Sequence, residues 1–247
     1  MNRPAAANLP ATRRTGLVVA LLLLLFAAAA LAVDRPIAQA CRDSQGTQRS
    51  FLPRDLRKFL SLAEVYAHGA GVACILITLL VCDAERRRQW PRLVGAAYGA
   101  GLAADAVKLL LVARQRPLAA DLEAPITETF VAWFPLFSER FAHSAYSRSF
   151  QSFPSAHAAT AAGLTVALIQ RFPAGRWWFV TLAFCSMAQR VESQAHFPSD
   201  VLAGAALGTL IGTWVCSLSW PWSRRADENT GMGVPREGTG MNEKEQD

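Results

Sequence analysis

The stretch TGLVVALLLLLFAAAALAV, residues 15–33, contains nineteen residues and no charged side chain. The hydrocarbon core of a bilayer is about 30 Å thick, and roughly 20 apolar residues of α-helix span it. The stretch therefore predicts a first transmembrane helix, Thr15–Val33. Arg13 and Arg14 precede it and an Ala-rich end follows, so a cleaved signal peptide is the alternative. The apolar run is longer than the roughly 7–15 residues of such a signal, which favours an uncleaved helix.

The composition of the whole chain also indicates a membrane protein. Of its 247 residues, 52% are hydrophobic and only 18% are charged, whereas globular domains carry about 25% charged residues. This composition excludes a disordered chain, and the absence of a sequence repeat excludes coiled coils and solenoids. The 25 Lys and Arg residues are scattered between apolar stretches, so the net charge of +6 does not indicate binding to nucleic acid. We expect membrane lipids as the surroundings.

Five further apolar stretches predict an all-α protein, a polytopic bundle of six transmembrane helices. The fourth and fifth stretches are short, so we expect their ends to extend into polar residues that are buried in protein. The predicted regions are a cytoplasmic segment, 1–14, a six-helix membrane domain, 15–222, and a disordered polar tail, 223–247. The five later spans are Leu62–Cys82, Leu93–Val112, Ala156–Ile169, Trp177–Met187 with a polar extension, and Val201–Leu218.

The orientation of the bundle follows from its short basic loops. ERRRQWPR, residues 85–92, and RFPAGR, residues 171–176, are rich in Arg, and short basic loops stay in the cytoplasm. The N-terminus is therefore expected inside, in the plasma or inner membrane. The end of the third span and the start of the fourth, like the loop between the fifth and sixth, then face the outer or periplasmic side.

Three groups of chemically active residues fall at this outer face. Guanidinium groups match phosphate oxygens in pairs, so several cations beside two His and an Asp predict a site for a tetrahedral dianion. A carboxylate can hold the proton of one His ring nitrogen and leave the other free as a nucleophile, and a second His can act as general acid. Taken singly, Lys108 also suits a helix C-terminus and Ser155 an ordinary N-cap. The groups are Lys108 with Arg114 and Arg116, Ser155 with His157, and Arg190 with His196 and Asp200.

The spacing of these residues forms three motifs. Pro154–His157 reads PSAH, and Arg190, five residues, His196, three residues and Asp200 form the last motif. This combination resembles the type 2 phosphatidic acid phosphatase superfamily, the lipid phosphate phosphatases that share their site with vanadium haloperoxidases. That family has Pro-Ser-Gly-His and Ser-Arg, five residues, His, three residues, Asp. This chain places Ala156 at the Gly position and Gln189 at the Ser position.

The first motif departs from the family pattern of Lys, six residues and Arg-Pro. Seven residues separate Lys108 from Arg116 in this chain. On a continuous helix the extra residue would turn the arginine by about 100°. Either a local bulge absorbs it or Arg116 lies beyond the helix, and Arg114 is a possible substitute.

The resemblance implies a role for each motif residue. It implies that His196 is the nucleophile and forms a phosphohistidine, that Asp200 orients it, and that His157 protonates the leaving group and then activates water. It further implies that Lys108, Arg116 and Arg190 hold the phosphoryl oxygens, with Ser155 and the backbone N–H of Ala156 as additional donors. The scheme requires no metal or other cofactor.

The predicted function is hydrolysis of a lipid phosphomonoester or pyrophosphate at the outer leaflet. Aromatic residues between 118 and 153 suit a lipid interface. Phosphatidic acid, phosphatidylglycerophosphate, undecaprenyl pyrophosphate and a lipid A phosphate remain open as substrates, and so does the oligomeric state. The alternatives are a lipid phosphotransferase, a non-catalytic lipid-binding relative, and a metal site of His157, His196 and Asp200, which the surrounding cations oppose.

Overall fold

A computed structural model describes residues 11–46, 52–83, 87, 89–139, 141 and 146–218. The tail 223–247 and most of segment 1–14 lie outside these residues. The predicted all-α class is confirmed apart from a two-stranded antiparallel ribbon, β1 Val112–Arg114 and β2 Phe130–Trp133. The helices of the described part are α1 Ala11–Gly46, α2 Arg54–Ala63, α3 Gly69–Cys82, α4 Trp90–Leu110, α5 Ala156–Arg171, α6 Arg176–Glu192 and α7 Pro198–Ser217. Short 3-10 helices are Glu64–Tyr66, Ile126–Thr129, Pro135–Phe137, Arg148–Phe150 and Pro173–Gly175.

The count of membrane spans is lower than the predicted six when each helix is judged by length and composition. Within the described residues, three helical segments qualify: Thr12–Asp43, Trp90–Leu110 and Pro198–Ser217. A fourth span is present if Arg54–Tyr66 and Gly69–Cys82, which meet at 64°, are taken as one broken helix. The helices α5 and α6 have only 16 and 17 residues. The structure therefore supports three or four spans, and the six-span bundle stays a prediction.

The helix α5 lies at the centre of the bundle because its residues are small. Ten of its 16 residues are buried. At Gly163 on α5 an added Cβ would collide with the carbonyl oxygen of Ala96 on α4, and at Gly208 on α7 it would collide with that of Ala159. Small residues allow helix backbones to approach closely inside a membrane. A helix enclosed in this way by α4 and α7 needs few large apolar side chains, which explains its modest hydropathy.

The helix α1 packs along α7 and reaches the end of the bundle at which α7 begins. A Cβ at Gly16 would overlap the side chain of Thr213 on α7. Further along α1, Asp34 is fully buried and accepts a hydrogen bond from the backbone N–H of Ser199, at 2.9 Å. The first helix is thus joined to the first turn of α7 by a buried polar contact.

The segment after α4 explains the irregular first motif. The helix ends at Leu110, and the chain continues as strand β1. Arg114 lies at the end of this strand, and Arg116 follows in the loop. Arg116 therefore lies beyond the helix, which was one of the two explanations offered for the extra residue. The helical spacing between Lys108 and Arg116 has no bearing on where their side chains meet.

Replacing Gly208 with Ala is expected to destabilise the bundle, because the new methyl group overlaps the carbonyl of Ala159. Overpacking of this kind lowers the free energy of unfolding by about 1–3 kcal/mol. Thermal unfolding in detergent measures the effect. Gly99→Ala is the matched control, because its Cβ would meet only Ile211 at 3.8 Å. Equal melting temperatures for the two variants would contradict the close packing of α5 and α7.

Candidate active site

The predicted site residues meet at one end of the bundle around His196. This histidine is 2% exposed and lies in the loop just before α7. Burial lowers the pKa of its imidazole well below the ordinary value of 6.5, and the charges of Arg116 and Lys108 lower it further. His157 also contributes to this lowering of the pKa. His196 is therefore a neutral ring near the other motif residues.

The hydrogen bond of His196 fixes its tautomer. Its Nδ1 lies 2.7 Å from the backbone carbonyl oxygen of Ser152. A carbonyl oxygen only accepts hydrogen bonds, so Nδ1 carries the proton. The lone pair is then on Nε2, which is the arrangement that a nucleophilic imidazole requires.

The structure corrects the expected contact between Asp200 and His196. The carboxylate of Asp200 is fully buried and accepts from the hydroxyl of Ser152 at 2.6 Å and from the backbone N–H of Phe197 at 2.9 Å. Asp200 is the third residue of α7, so its side chain turns back to the N-cap residue as in a capping box. Asp200 therefore reaches His196 through Ser152, whose hydroxyl donates to Asp200 and whose carbonyl accepts from His196.

Arg114 is a structural cation and does not replace Arg116. Its guanidinium is fully buried and donates to Asp200 at 2.6 Å and to Asp34 at 2.8 Å. Its plane lies against the rings of Phe130 and Phe197, with centroid distances of 4.5 and 4.2 Å. Two further bonds reach Thr129 at 3.0 Å and Ser199 at 2.7 Å. With its donors engaged by protein groups, Arg114 is not placed to bind a phosphate.

Arg116 differs from Arg114 in its hydrogen bonding. Its Nε is buried and has no hydrogen-bond partner among the residues that the structure describes. Burial lowers the pKa of its guanidinium, and the charges of Arg190 and Arg148 lower it further. Arg148 was not predicted as a site residue, and only its place in the long segment before α5 could have suggested it. A buried donor without a partner among several cations fits an anionic ligand.

Arg190 is held by the amide oxygen of Gln189 and a carboxylate oxygen of Glu64. Its Nε donates to Oε1 of Gln189 at 2.6 Å, so the glutamine at the family's Ser position orients this arginine. Its Nη2 lies 2.6 Å from Oε1 of Glu64. The same oxygen is 4.0 Å from Nε2 of His157. Sequence reasoning missed Glu64, although an ionisable residue inside the predicted span Leu62–Cys82 was a usable signal.

Lys108 and the start of α5 supply further hydrogen-bond donors. Nζ of Lys108 is buried and donates to Asp105 at 2.9 Å, while an ammonium group has three N–H donors. The hydroxyl of Ser155 accepts from the N–H of Ala158 at 3.3 Å, which confirms it as the N-cap of α5. The first-turn N–H of Ala156 has no intrahelical acceptor, as at any helix start. In the part of the chain that the structure describes, no three His, Cys, Asp or Glu side chains are grouped to hold a metal ion.

The chain matches the model of the PAP2 superfamily over residues 92–224. It is 42% identical over 60 residues to the lipid A 1-phosphatase of Rhizobium etli. This alignment covers 24% of this chain and 26% of that protein. It is 34% identical over 96 residues to the lipid A 4'-phosphatase of Bacteroides thetaiotaomicron, covering 38% and 41% of the two. The chain thus spans about a quarter to two fifths of the length of these curated relatives.

A solved structure shares the fold. The crystal structure of the first transmembrane PAP2 type phosphatidylglycerolphosphate phosphatase from Bacillus subtilis superposes with a TM-score of 0.52. The superposition covers 87% of this chain and 96% of that chain at 18% sequence identity. At this identity the likeness concerns the fold.

Replacing Arg114 with Leu is expected to unfold the protein more easily than replacing Arg116 with Leu. Loss of Arg114 leaves the buried carboxylates Asp34 and Asp200 without a counter-charge, which lowers stability by about 3–5 kcal/mol. Loss of Arg116 removes a buried donor that has no partner in the described part of the chain, so stability stays equal or rises. Thermal unfolding in detergent compares the two variants. A larger loss for Arg116→Leu would contradict these assignments.

Stability is also expected to depend on the titration of His196. The folded protein holds the pKa of this ring well below 6.5, whereas in the unfolded chain it returns to about 6.5. The stability from neutral His196 is therefore complete above pH 6.5 and decreases as the pH falls, because only the unfolded state binds the proton. The melting temperature of the wild type should fall more steeply from pH 6.5 to about 5 than that of His196→Gln. Parallel curves would count against a neutral buried ring.

Proposed function

We propose that this chain, which belongs to the PAP2 superfamily, is an integral-membrane phosphatase that hydrolyses a lipid phosphomonoester or pyrophosphate through a phosphohistidine. The family match confirms the resemblance predicted from the three motifs. The observation that carries the proposal is the neutral, buried His196, whose Nδ1 is occupied by Ser152 while cations lie near its ring. Nucleophile and anion-binding groups are thereby combined in one place.

The first step forms a bond between Nε2 of His196 and phosphorus. The phosphorus–oxygen bond to the lipid breaks, and its electron pair goes to the lipid oxygen, which takes a proton from His157. Lys108, Arg116 and Arg190 bind the equatorial oxygens, where negative charge is spread in the transition state. The hydroxyl of Ser155 and the N–H of Ala156 add hydrogen bonds to the same oxygens.

The second step reverses the role of His157. The now neutral ring takes a proton from water as the water oxygen attacks phosphorus, and the phosphorus–nitrogen bond breaks. The electron pair of that bond returns to Nε2 of His196, and inorganic phosphate is released. Asp200 stabilises the positive charge of the phosphorylated ring through Ser152, which the geometry supports because both bonds are short and buried.

The substrate class follows from the relatives and from the surface. Two similar proteins are named lipid A phosphatases, so a phosphate on a glycolipid of that kind is our first candidate. Trp133, Phe134 and Phe137 are 66%, 56% and 77% exposed beside the ribbon and suit a bilayer interface. This placement suits a site at a bilayer interface with membrane lipids as the contacting partners, and the short basic loops of the sequence favour the outer or periplasmic side of the plasma or inner membrane.

The test is phosphate release from a panel of lipid phosphates by detergent-purified protein in the presence of EDTA. The scheme needs no metal, so the wild type should keep its activity in EDTA, and His196→Gln should fall to background. Labelled substrate should also leave an alkali-stable, acid-labile phosphate on the wild-type protein and none on the variant. Activity that EDTA abolishes, or that His196→Gln retains, would refute the mechanism. Phosphate transferred to an added lipid alcohol instead of water would identify a phosphotransferase.

A further inference from the structure

One carboxylate outside the three motifs reaches two of the proposed reaction groups. Oε1 of Glu64 is 2.6 Å from Nη2 of Arg190 and 4.0 Å from Nε2 of His157. All three side chains are partly exposed at this end of the bundle: 29% for Glu64, 12% for Arg190 and 30% for His157. Glu64 therefore lies between a proposed phosphate-binding cation and the proposed general acid, and it is open to a ligand.

The position of Glu64 is fixed by a buried hydrogen bond on one side and a partly exposed ion pair on the other. It begins the 3-10 helix Glu64–Tyr66, and the hydroxyl of Tyr66 bonds to Oγ1 of Thr165 on α5 at 2.9 Å. The preceding helix α2 is tied to the end of α6 by the ion pair of Arg57 and Glu192 at 2.9 Å. The 3-10 helix is thus attached to α5, which carries His157, and α2 is attached to α6, which carries Arg190.

The surroundings of His157 are otherwise cationic or neutral. Four positively charged or titratable groups act electrostatically on its ring: Arg190 on α6, Lys108 on α4, Arg116 in the loop after β1 and His68 before α3. The His68 ring lies 6.2 Å from it between centroids. A general acid must hold its proton until the leaving oxygen takes it, and a nearby carboxylate favours the protonated ring. Oε1 of Glu64, 4.0 Å from Nε2 of His157, adds a negative charge beside these groups.

We propose that Glu64 is a positioning residue that keeps the proton on His157 for the first step and occupies Arg190 until the substrate phosphate replaces it. This inference rests on the proposed function. In the first step the proton leaves Nε2 of His157 for the lipid oxygen. In the second step a proton from water returns to Nε2, where Glu64 again stabilises it, so the cycle is balanced. The carboxylate and an incoming phosphate oxygen compete for the same N–H of Arg190.

The two parts of this role predict that both kcat and KM fall when the charge of Glu64 is removed. Glu64→Gln keeps a side-chain oxygen for Arg190 but removes the charge. With a lipid phosphate, whose leaving oxygen needs a proton, kcat should fall roughly 10- to 100-fold, within the range of general acid catalysis. KM should fall as well, because a phosphate dianion no longer competes with a carboxylate. With p-nitrophenyl phosphate, whose leaving group needs no proton, kcat should stay within about threefold.

The measurement is steady-state kinetics of purified protein across pH, with the panel lipid that the wild type hydrolyses fastest and with p-nitrophenyl phosphate. For the lipid, the alkaline limb of the kcat profile should move to lower pH in Glu64→Gln, because His157 then loses its proton more easily. Glu123→Gln is the matched control, since it removes an exposed carboxylate that pairs with Arg35 and takes no part in holding Glu64. It should leave both substrates and the pH profile unchanged.

Each outcome separates the inference from the function on which it rests. If the wild type releases no phosphate, the proposed function fails and the inference with it. If the wild type is active and Glu64→Gln matches Glu123→Gln, or loses both substrates equally, the role of Glu64 is refuted and the phosphatase stands. In a His157→Asn background, Glu64→Gln should add no further loss of kcat on the lipid. If Glu64→Gln does not fold, Glu64→Asp tests the same role, because it keeps the negative charge but moves it away from His157. An unchanged ratio of kcat on the lipid to kcat on p-nitrophenyl phosphate would then refute the role.

Discussion

The buried guanidinium of Arg114 is the interaction on which the rest of the site depends. It joins Asp34 of α1 and Asp200 of α7 and lies against the rings of Phe130 and Phe197. Burying charge is unfavourable unless the partners are close and the remaining donors are satisfied, and here Thr129 and Ser199 satisfy them. Because Arg114 neutralises part of the acidic charge, Asp200 can remain buried next to Ser152, and Ser152 can orient His196.

The electrostatics of the site combine cationic and acidic groups around the two histidines. The charges of Arg116 and Lys108 lower the pKa of His196. Asp200 is bonded to the hydroxyl of Ser152, and Oε1 of Glu64 lies 4.0 Å from Nε2 of His157. In the mechanism that we propose, the nucleophile is a neutral ring near cations and the proton donor lies near a carboxylate. Burial strengthens both effects, because water screens them less.

The sequence contained enough to predict the convergence of the motif residues, since helix ends on one side of a membrane must meet. It did not contain the partner of each side chain. Arg114 and Arg116 are two positions apart in the sequence. Arg114 is the buried structural cation, whereas Nε of Arg116 has no partner among the described residues. This difference depends on α4 ending at Leu110 and the chain continuing as strand β1. Asp200 was expected on His196, but its place in the first turn of α7 directs it to Phe197 and Ser152. Asp34 was missed because it lies on α1, whose packing on α7 no local sequence pattern predicts. Glu64 was missed although it is an ionisable residue inside a predicted span, because its partners come from α5 and α6.

The enclosure of α5 has a consequence for how the protein responds to its bilayer. A membrane that becomes thinner or thicker changes the match between its hydrocarbon and the helices at the lipid boundary, which tilt or shift to adapt. Most of α5 contacts protein, and its glycine contacts with α4 and α7 tie it to their backbones. Changes in bilayer thickness therefore act on α5 only through its neighbours. His157, which we propose as the general acid at the start of α5, is therefore shielded from direct effects of the lipid composition.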